Sequence, residues 1–273
     1  MEGLSDVEQV VLETPFGAPS DAFITGKLHG QKMVFLPRHG TGHKLLPHEL
    51  NFMANIWGMK KLGVTQLISV SAVGSMKEQI APGHIVLVDQ FIDRTKNRPA
   101  SFFGDGIVVH VGFADPICKG MRAHLQTVAA KTDFTCHDGG TYVCIEGPQF
   151  STRAESHLFR SWGVSVIGMT NLPEARLARE AEMGYATIAL ATDYDCWHEE
   201  EEAVSVESVM AVLRDNAEKA KVLIRNYVET LPNTLESEAW TATRAGLMTE
   251  EAAIPEKRRA ELAPILDPIF ASK

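Results

Sequence analysis

The chain has 273 residues, 45% hydrophobic and 22% charged, a balance that excludes disorder over most of the length and suits one sizeable α/β core. Basic residues number 26 against 35 acidic, a formal net charge of −9. With no long basic run, nothing marks a nucleic-acid surface, which clusters Lys and Arg against phosphates.

Val10 to Glu13 reads as a short strand. Ala22–Leu28 and Lys32–Leu36 are apolar runs around His29-Gly30, the pattern of a β-hairpin. Pro47 opens a helical stretch in which Phe52, Ile56 and Met59 share one face beside Trp57, and Gly63 marks its stop. Thr65–Val70 is β-rich and runs into small residues. Ile85–Asp89 is a further strand, Pro116–Ala130 a helix and Thr141–Ile145 extended. Thr152–Trp162 is helical, Val164–Ile167 a strand, and Pro173–Met183 a helix with proline near its start. Tyr185–Ala191 is a strongly apolar strand, and Ser205–Tyr227 a long amphipathic helix.

Alternating strands and helices predict an α/β domain with a largely buried sheet. Residues 1–231 form that domain. After Pro232 the composition changes, with further prolines at 255, 264 and 268. Trp240, Ile254, Ile265 and Phe270 are costly to leave in water, so residues 232–273 are expected to pack on the same domain. No apolar run reaches membrane-spanning length, and the opening MEGLSDVEQV lacks the apolar centre of a signal peptide. Cys118, Cys136, Cys144 and Cys196 form no CxxC pair. They point to a reducing compartment, with a Cys136–Cys144 bridge left open. The expected location is the cytoplasm.

Five segments carry candidate chemistry. Pro37-Arg38-His39-Gly40-Thr41-Gly42-His43 places a planar guanidinium fork beside an imidazole on a flexible loop, which suits an anion. An ordinary polar loop explains it as well. A zinc reading of His39, His43 and His48 lacks the carboxylate or cysteine spacing of a metal motif. Ser69-Val70-Ser71-Ala72-Val73-Gly74-Ser75 ends a buried strand in small residues, where open α/β sheets place ligands; a tight turn is the alternative. It is neither GxGxxG nor a P-loop. In Glu146-Gly147-Pro148-Gln149-Phe150-Ser151-Thr152-Arg153, a strand end meets a helix start. Phe150 suits a flat base, though frequency favours the core. Gly168-Met169-Thr170 offers a soft thioether wall, more often packing than a site. Ala191-Thr192-Asp193-Tyr194-Asp195-Cys196-Trp197 sets two carboxylates at the end of the most apolar strand. That invites general-acid chemistry and equally suits an acidic loop or helix cap.

In this order the segments resemble the methylthioadenosine phosphorylases, within the trimeric purine nucleoside phosphorylase family. The likeness runs from Thr14-Pro15-Phe16-Gly17 to about Tyr227. It is most specific at Asp89-Gln90-Phe91-Ile92-Asp93-Arg94-Thr95, Glu146-Gly147-Pro148, Arg153-Ala154-Glu155-Ser156 and Ala191 through Trp197. The resemblance implies a single-domain nucleoside phosphorylase fold, a mixed central sheet flanked by helices. It implies phosphorolysis of 5'-methylthioadenosine, with inorganic phosphate as co-substrate and no metal or organic cofactor.

Position by position, the resemblance assigns Arg38, His39, Ser71, Ala72 and Thr170 to phosphate and Met169 to the ribose. Phe150 and Ser151 go to the base, Asp193 to N7 and Asp195 to the 6-amino group. Asp193 and His39 would be the catalytic pair. Val206, Val209 and Met210 would hold the methylthio group, with a core stripe as the plain alternative. His110 would be donated from a neighbouring subunit, so a homotrimer is expected.

The likeness departs at two places. Family members begin with a strand and a glycine-rich phosphate loop, and this sequence is expected to start just after them. At Gly168, relatives of the adenosine type often carry Asn. A 6-oxopurine phosphorylase (methylthioinosine or inosine) and a non-catalytic nucleoside-binding homologue are the competing readings.

Overall fold

The computed structural model describes residues 1–198 and 206–271. Ten strands and eight α-helices follow in chain order among these residues. They begin with β1 (Ser5–Val10), β2 (Phe23–Leu28), β3 (Gln31–Phe35), α1 (Phe52–Lys61), β4 (Gln66–Ser75), β5 (Ile85–Leu87) and β6 (Gln90–Arg94). Next come α2 (Lys119–Ala129), β7 (Cys136–Asp138), β8 (Thr141–Ile145), α3 (Arg153–Ser161), β9 (Val166–Gly168), α4 (Glu174–Glu180) and β10 (Gly184–Asp193). The chain closes with α5 (Val206–Glu229), α6 (Ala242–Gly246), α7 (Glu256–Glu261) and α8 (Ala263–Phe270).

The main sheet has seven strands in the order β6-β8-β9-β4-β10-β5-β7. Its pairings are mixed: β4 runs parallel to β10 and antiparallel to β9, and β5 runs antiparallel to β10. β10 is the spine, buried from Gly184 through Thr192. Its side chains alternate between two cores, as a period-2 strand requires. Tyr185, Ala189 and Ala191 belong with Phe52 and Ile56 of α1, Leu177 of α4 and Leu266 of α8. Ala186, Ile188 and Leu190 belong with Met121 and Leu125 of α2 and Leu223 of α5. A strand covered on both faces reads as an unbroken apolar run, and 185–191 does so.

β1, β2 and β3 form a separate antiparallel sheet. The first strand lies at Ser5–Val10, earlier than the expected Val10–Glu13. Its pairing with β2 ends at Val10 opposite Phe23, and Val11 points into solvent at 80% exposure. Among the described residues, β3 pairs only with β2, and the outer edge of β4 from Gln66 to Val73 has no strand beside it. The two edges face a cleft of about 490 Å³, floored by Ile56 and Met59 of α1 and by Ile224 and Tyr227 of α5.

All four cysteines are free thiols. The open Cys136–Cys144 pairing is overturned by topology. Cys136 lies on β7 and Cys144 on β8, five strand spacings apart. That is roughly 24 Å, where a disulfide needs Cα atoms within about 7 Å. After Pro232, Ile254, Leu262, Ile265, Leu266 and Ile269 are buried in the core that holds α1. Trp57 Nε1 donates to the Glu261 carbonyl at 2.9 Å, and Arg258 Nη2 to that of Phe102 at 2.7 Å. No helix among the described residues is long and apolar enough to cross a membrane.

Candidate active site

β4 lines up the candidate residues. Near its start, Arg38 Nη2 donates to Ser69 Oγ at 2.5 Å and to the Val70 carbonyl at 3.5 Å. The guanidinium also meets Glu174 of α4, with Nε to Oε2 at 2.8 Å. Burial works against the Arg38 charge, and Glu174 together with Tyr185 and Tyr142 more than offsets it. Glu174 is itself buried and accepts from the Tyr185 hydroxyl at 2.8 Å. The arginine is therefore clamped before any ligand arrives, which limits the ordering cost of binding. Arg38, His39, Ser69 and Glu174 all line the cleft between β3 and β4.

His39 follows directly. Its Nδ1 lies 2.8 Å from the Leu45 carbonyl, an acceptor only, so Nδ1 carries a proton. Burial lowers the pKa of the ring below its ordinary value; the Leu45 carbonyl opposes this, and His43 and Arg38 add to it. The His43 ring stacks on it at 4.3 Å between centroids. His48 takes no part in this stack, and no group of His, Cys, Asp or Glu among the described residues is arranged to hold a metal ion.

Two residues beyond Ser69 on the same face, Ser71 is buried. Its Oγ lies 3.2 Å from Thr170 Oγ1 and 3.2 Å from the Tyr142 hydroxyl. Ala72, next in sequence, turns to the exposed side.

The far end of β4 meets the acidic pair. The parallel register of β4 and β10 slips between Ala191 and Asp193, which sets Asp193 opposite Gly74. A side chain at 74 would crowd Asp193 Oδ1 at 3.0 Å and Asp195 Cβ at 3.3 Å. Asp193 accepts from the Asp195 N–H at 2.8 Å and from the Thr192 hydroxyl at 2.7 Å. Asp195 has a left-handed backbone, φ 52°, and Ser151 Oγ contacts both of its carboxylate oxygens, at 3.1 and 2.9 Å. Ser151 is placed by the capping box that starts α3, in which Thr152 Oγ1 accepts from the Glu155 N–H and the Glu155 carboxylate from the Thr152 N–H.

Phe150 is 66% exposed, which corrects the core reading that frequency favoured. Met169 lies against Gly147, where an added Cβ would stand 2.6 Å from its Sδ. Met210 on α5 is exposed, while the side chains of Val206 and Val209 lie outside the described residues. His110 is exposed on a segment bridged to 246–248 and makes no hydrogen bond to the other candidates among the described residues.

Three supporting residues carry no local sequence signal. Glu174 fixes Arg38, and Tyr142 touches Ser71. Arg98 joins the segment after β8 to the segment after β9. Its Nη1 donates to the carbonyls of Met169 (2.7 Å) and Leu172 (2.8 Å), and its Nη2 to those of Glu146 (2.6 Å) and Ile145 (3.5 Å). Its Nε meets the Glu146 carboxylate at 3.3 Å. All five guanidinium protons are thus spent on the frame.

The arrangement sets a guanidinium and hydroxyls beside the earlier part of β4 and two carboxylates beside its far end. Ser71 and Gly74 stand about 10 Å apart by strand rise, the scale of a nucleoside with an anion at its sugar.

Known proteins match this chain along almost its whole length. The profile of the Phosphorylase superfamily matches residues 2–229. The S-methyl-5'-thioadenosine phosphorylase of Geobacter sulfurreducens is 58% identical over 267 residues, 97% of this chain and 93% of that protein. The S-methyl-5'-thioadenosine phosphorylase of Koribacter versatilis is 51% identical, covering 100% of this chain and 94% of its own. Among solved structures, a methylthioadenosine phosphorylase from an antarctic soil metagenomic library superposes with a TM-score of 0.91 at 46% identity, covering 97% of this chain and 94% of that one. The Schistosoma mansoni methylthioadenosine phosphorylase in complex with adenine superposes at 0.81 with 33% identity, covering 95% and 91%. The chain belongs to the phosphorylase superfamily, on the branch of the S-methyl-5'-thioadenosine phosphorylases.

Proposed function

We propose that this chain catalyses the phosphorolysis of S-methyl-5'-thioadenosine, yielding adenine and 5-methylthioribose 1-phosphate. A phosphate oxygen forms the bond to C1' as the C1'–N9 bond breaks, and the electron pair of that bond passes into the purine. The transition state carries positive charge on the sugar and growing negative charge on the base. A phosphate anion beside C1' stabilises the first, and a hydrogen bond or proton at N7 the second. The observation that carries the reading is β4 itself, with Arg38, Ser69 and Ser71 towards one end and Asp193 and Asp195 at the other.

Arg38, His39, Ser71, the backbone at Ala72, and Thr170 hold phosphate, which is a second substrate rather than a cofactor. Met169 lies along the ribose, and Phe150 lies by the base. Asp193 serves N7. Asp195, oriented by Ser151, accepts from the 6-amino group, and a 6-oxo purine would set an acceptor against that carboxylate. Val206, Val209 and Met210 are the residues assigned to the methylthio end, the first two with side chains outside the described residues; His110 reaches a neighbouring subunit's site, and the working form is a homotrimer. Gly168, which motivated the 6-oxopurine alternative, has a packing cause: a Cβ there would stand 2.0 Å from the Tyr142 hydroxyl.

The test is the initial rate of adenine release from methylthioadenosine with and without inorganic phosphate, beside hypoxanthine release from methylthioinosine. Release that needs phosphate and favours the 6-amino substrate is the expected result. Equal or faster use of the 6-oxo substrate removes the role given to Asp195.

A further inference from the structure

Gly168 is a glycine for want of space, not for conformation. Its φ lies outside the left-handed range that sets apart thirteen other glycines of the chain. A Cβ on it would stand 2.0 Å from the Tyr142 hydroxyl and 2.6 Å from Cζ. Tyr142 sits on β8, fully buried, and β8 pairs with β9 so that Cys144 is opposite Gly168. The phenol crosses the face of β9 and occupies the volume that a residue at 168 would fill. Its hydroxyl then reaches Ser71 Oγ at 3.2 Å and stands 3.5 Å from the Thr170 N–H.

Three hydroxyls converge here: Tyr142, Ser71 and Thr170. Each brings one proton and two acceptor positions. The Thr170 N–H takes one acceptor position of the phenol oxygen, and Ser71 Oγ is an acceptor within reach of the phenol's own proton. Ser71 in turn meets Thr170 Oγ1 at 3.2 Å, closer than its alternative acceptor, the Ala72 carbonyl, at 3.4 Å. With the phenol donating to Ser71 and Ser71 to Thr170, two protons are used inside the cluster and the third is free on Thr170. Burial keeps the phenol protonated, so it stays a donor at any working pH.

Resting on the phosphorolysis reading for the identity of the anion, we propose that Tyr142 is a positioning residue of the phosphate site. Seated in the space left by Gly168, its hydroxyl orders the Ser71–Thr170 pair so that Thr170 turns its proton towards phosphate. Tyr142 touches no substrate; it acts through Ser71 and Thr170.

Steady-state kinetics of Tyr142→Phe read this directly, since the ring and the space beside Gly168 are kept. The expected result is a KM for phosphate raised about five- to tenfold, with kcat and the KM for methylthioadenosine within about twofold of wild type. An unchanged phosphate KM overturns the assignment, as does a rise confined to the nucleoside KM. Gly168→Ala gives a second arm, because the new Cβ must displace the phenol and reproduce the phosphate defect. In a Tyr142→Val background, where that space is open, adding Gly168→Ala is expected to change the phosphate KM no further. Fully additive defects overturn the coupling. Calorimetric titration with inorganic phosphate alone separates this inference from the catalytic reading. Weaker phosphate binding by Tyr142→Phe supports it even if methylthioadenosine is not turned over, and equal binding overturns it even if the enzyme is active.

Discussion

The Nδ1 of His39 lies 2.8 Å from the carbonyl oxygen of Leu45, and this one bond decides what the ring can offer a ligand. With Nδ1–H committed to the carbonyl, a neutral His39 presents a bare Nε2. Burial lowers its pKa, so the neutral ring is the form present at and above neutrality. Nε2 and phosphate must then share a single proton. The KM for phosphate is expected to rise with pH above neutrality, as that proton is lost. His39→Ala flattens the slope, because Arg38 binds the dianion regardless. A slope that persists in His39→Ala places the proton elsewhere. The same shift has a stability sign. The unfolded chain takes up the proton first, so stability tied to the neutral ring is complete above the ordinary value of about 6.5 and is lost as pH falls through it to the lower folded value.

Asp195 and Ser151 carry the base preference. Asp195→Asn keeps the shape and the Ser151 contact and adds a donor towards position 6. The ratio of kcat/KM for methylthioadenosine over methylthioinosine is expected to fall by about tenfold or more. An unchanged ratio places recognition of position 6 on another group.

Arg98 holds two loops at once, so its loss is felt in both stability and substrate binding. Arg98→Lys keeps the charge and cannot fork to the carbonyls of Met169, Leu172 and Glu146. Urea denaturation should show a loss of about 2–4 kcal/mol, from carbonyls left without donors in a buried place. The KM for the nucleoside should rise in the same variant. Wild-type stability would contradict the clamp.

Leu266 on α8 is fully buried against the core that includes α1. Leu266→Ala is expected to cost about 2–5 kcal/mol. A cost near zero would mean that this segment contributes little to the domain.

The strands were legible where burial left a plain pattern. Residues 185–191 are an unbroken apolar run because β10 is covered on both faces, and the β2–β3 hairpin announced itself by His29-Gly30 between two apolar runs. β7 was missed, since Cys136–Asp138 is three residues long and has no period to read. The helices after Pro232 leave little period to read: α6 and α7 span only Ala242–Gly246 and Glu256–Glu261, and Pro264 and Pro268 fall inside α8. At the site, resemblance supplied Arg38, Thr170, Asp193 and Asp195, and geometry joined them. Ser151 and Asp195 are 44 positions apart, and only the fold of β10 against the start of α3 brings them together. Arg98 and Tyr142 were silent for a physical reason. Their work is done on carbonyls and hydroxyls 28 to 74 positions away, and such contacts leave no local spacing behind. Gly168 was read as a departure from relatives; its cause was a tyrosine one strand across.

The most direct test of phosphorolysis follows the oxygen atoms. Methylthioadenosine is incubated with phosphate isotopically labelled in all its oxygens, and the products are weighed by mass spectrometry. Attack by phosphate on C1' predicts a methylthioribose 1-phosphate that retains every labelled oxygen, formed one for one with adenine. Adenine released at the same rate without phosphate, with unphosphorylated sugar as the product, would contradict the account.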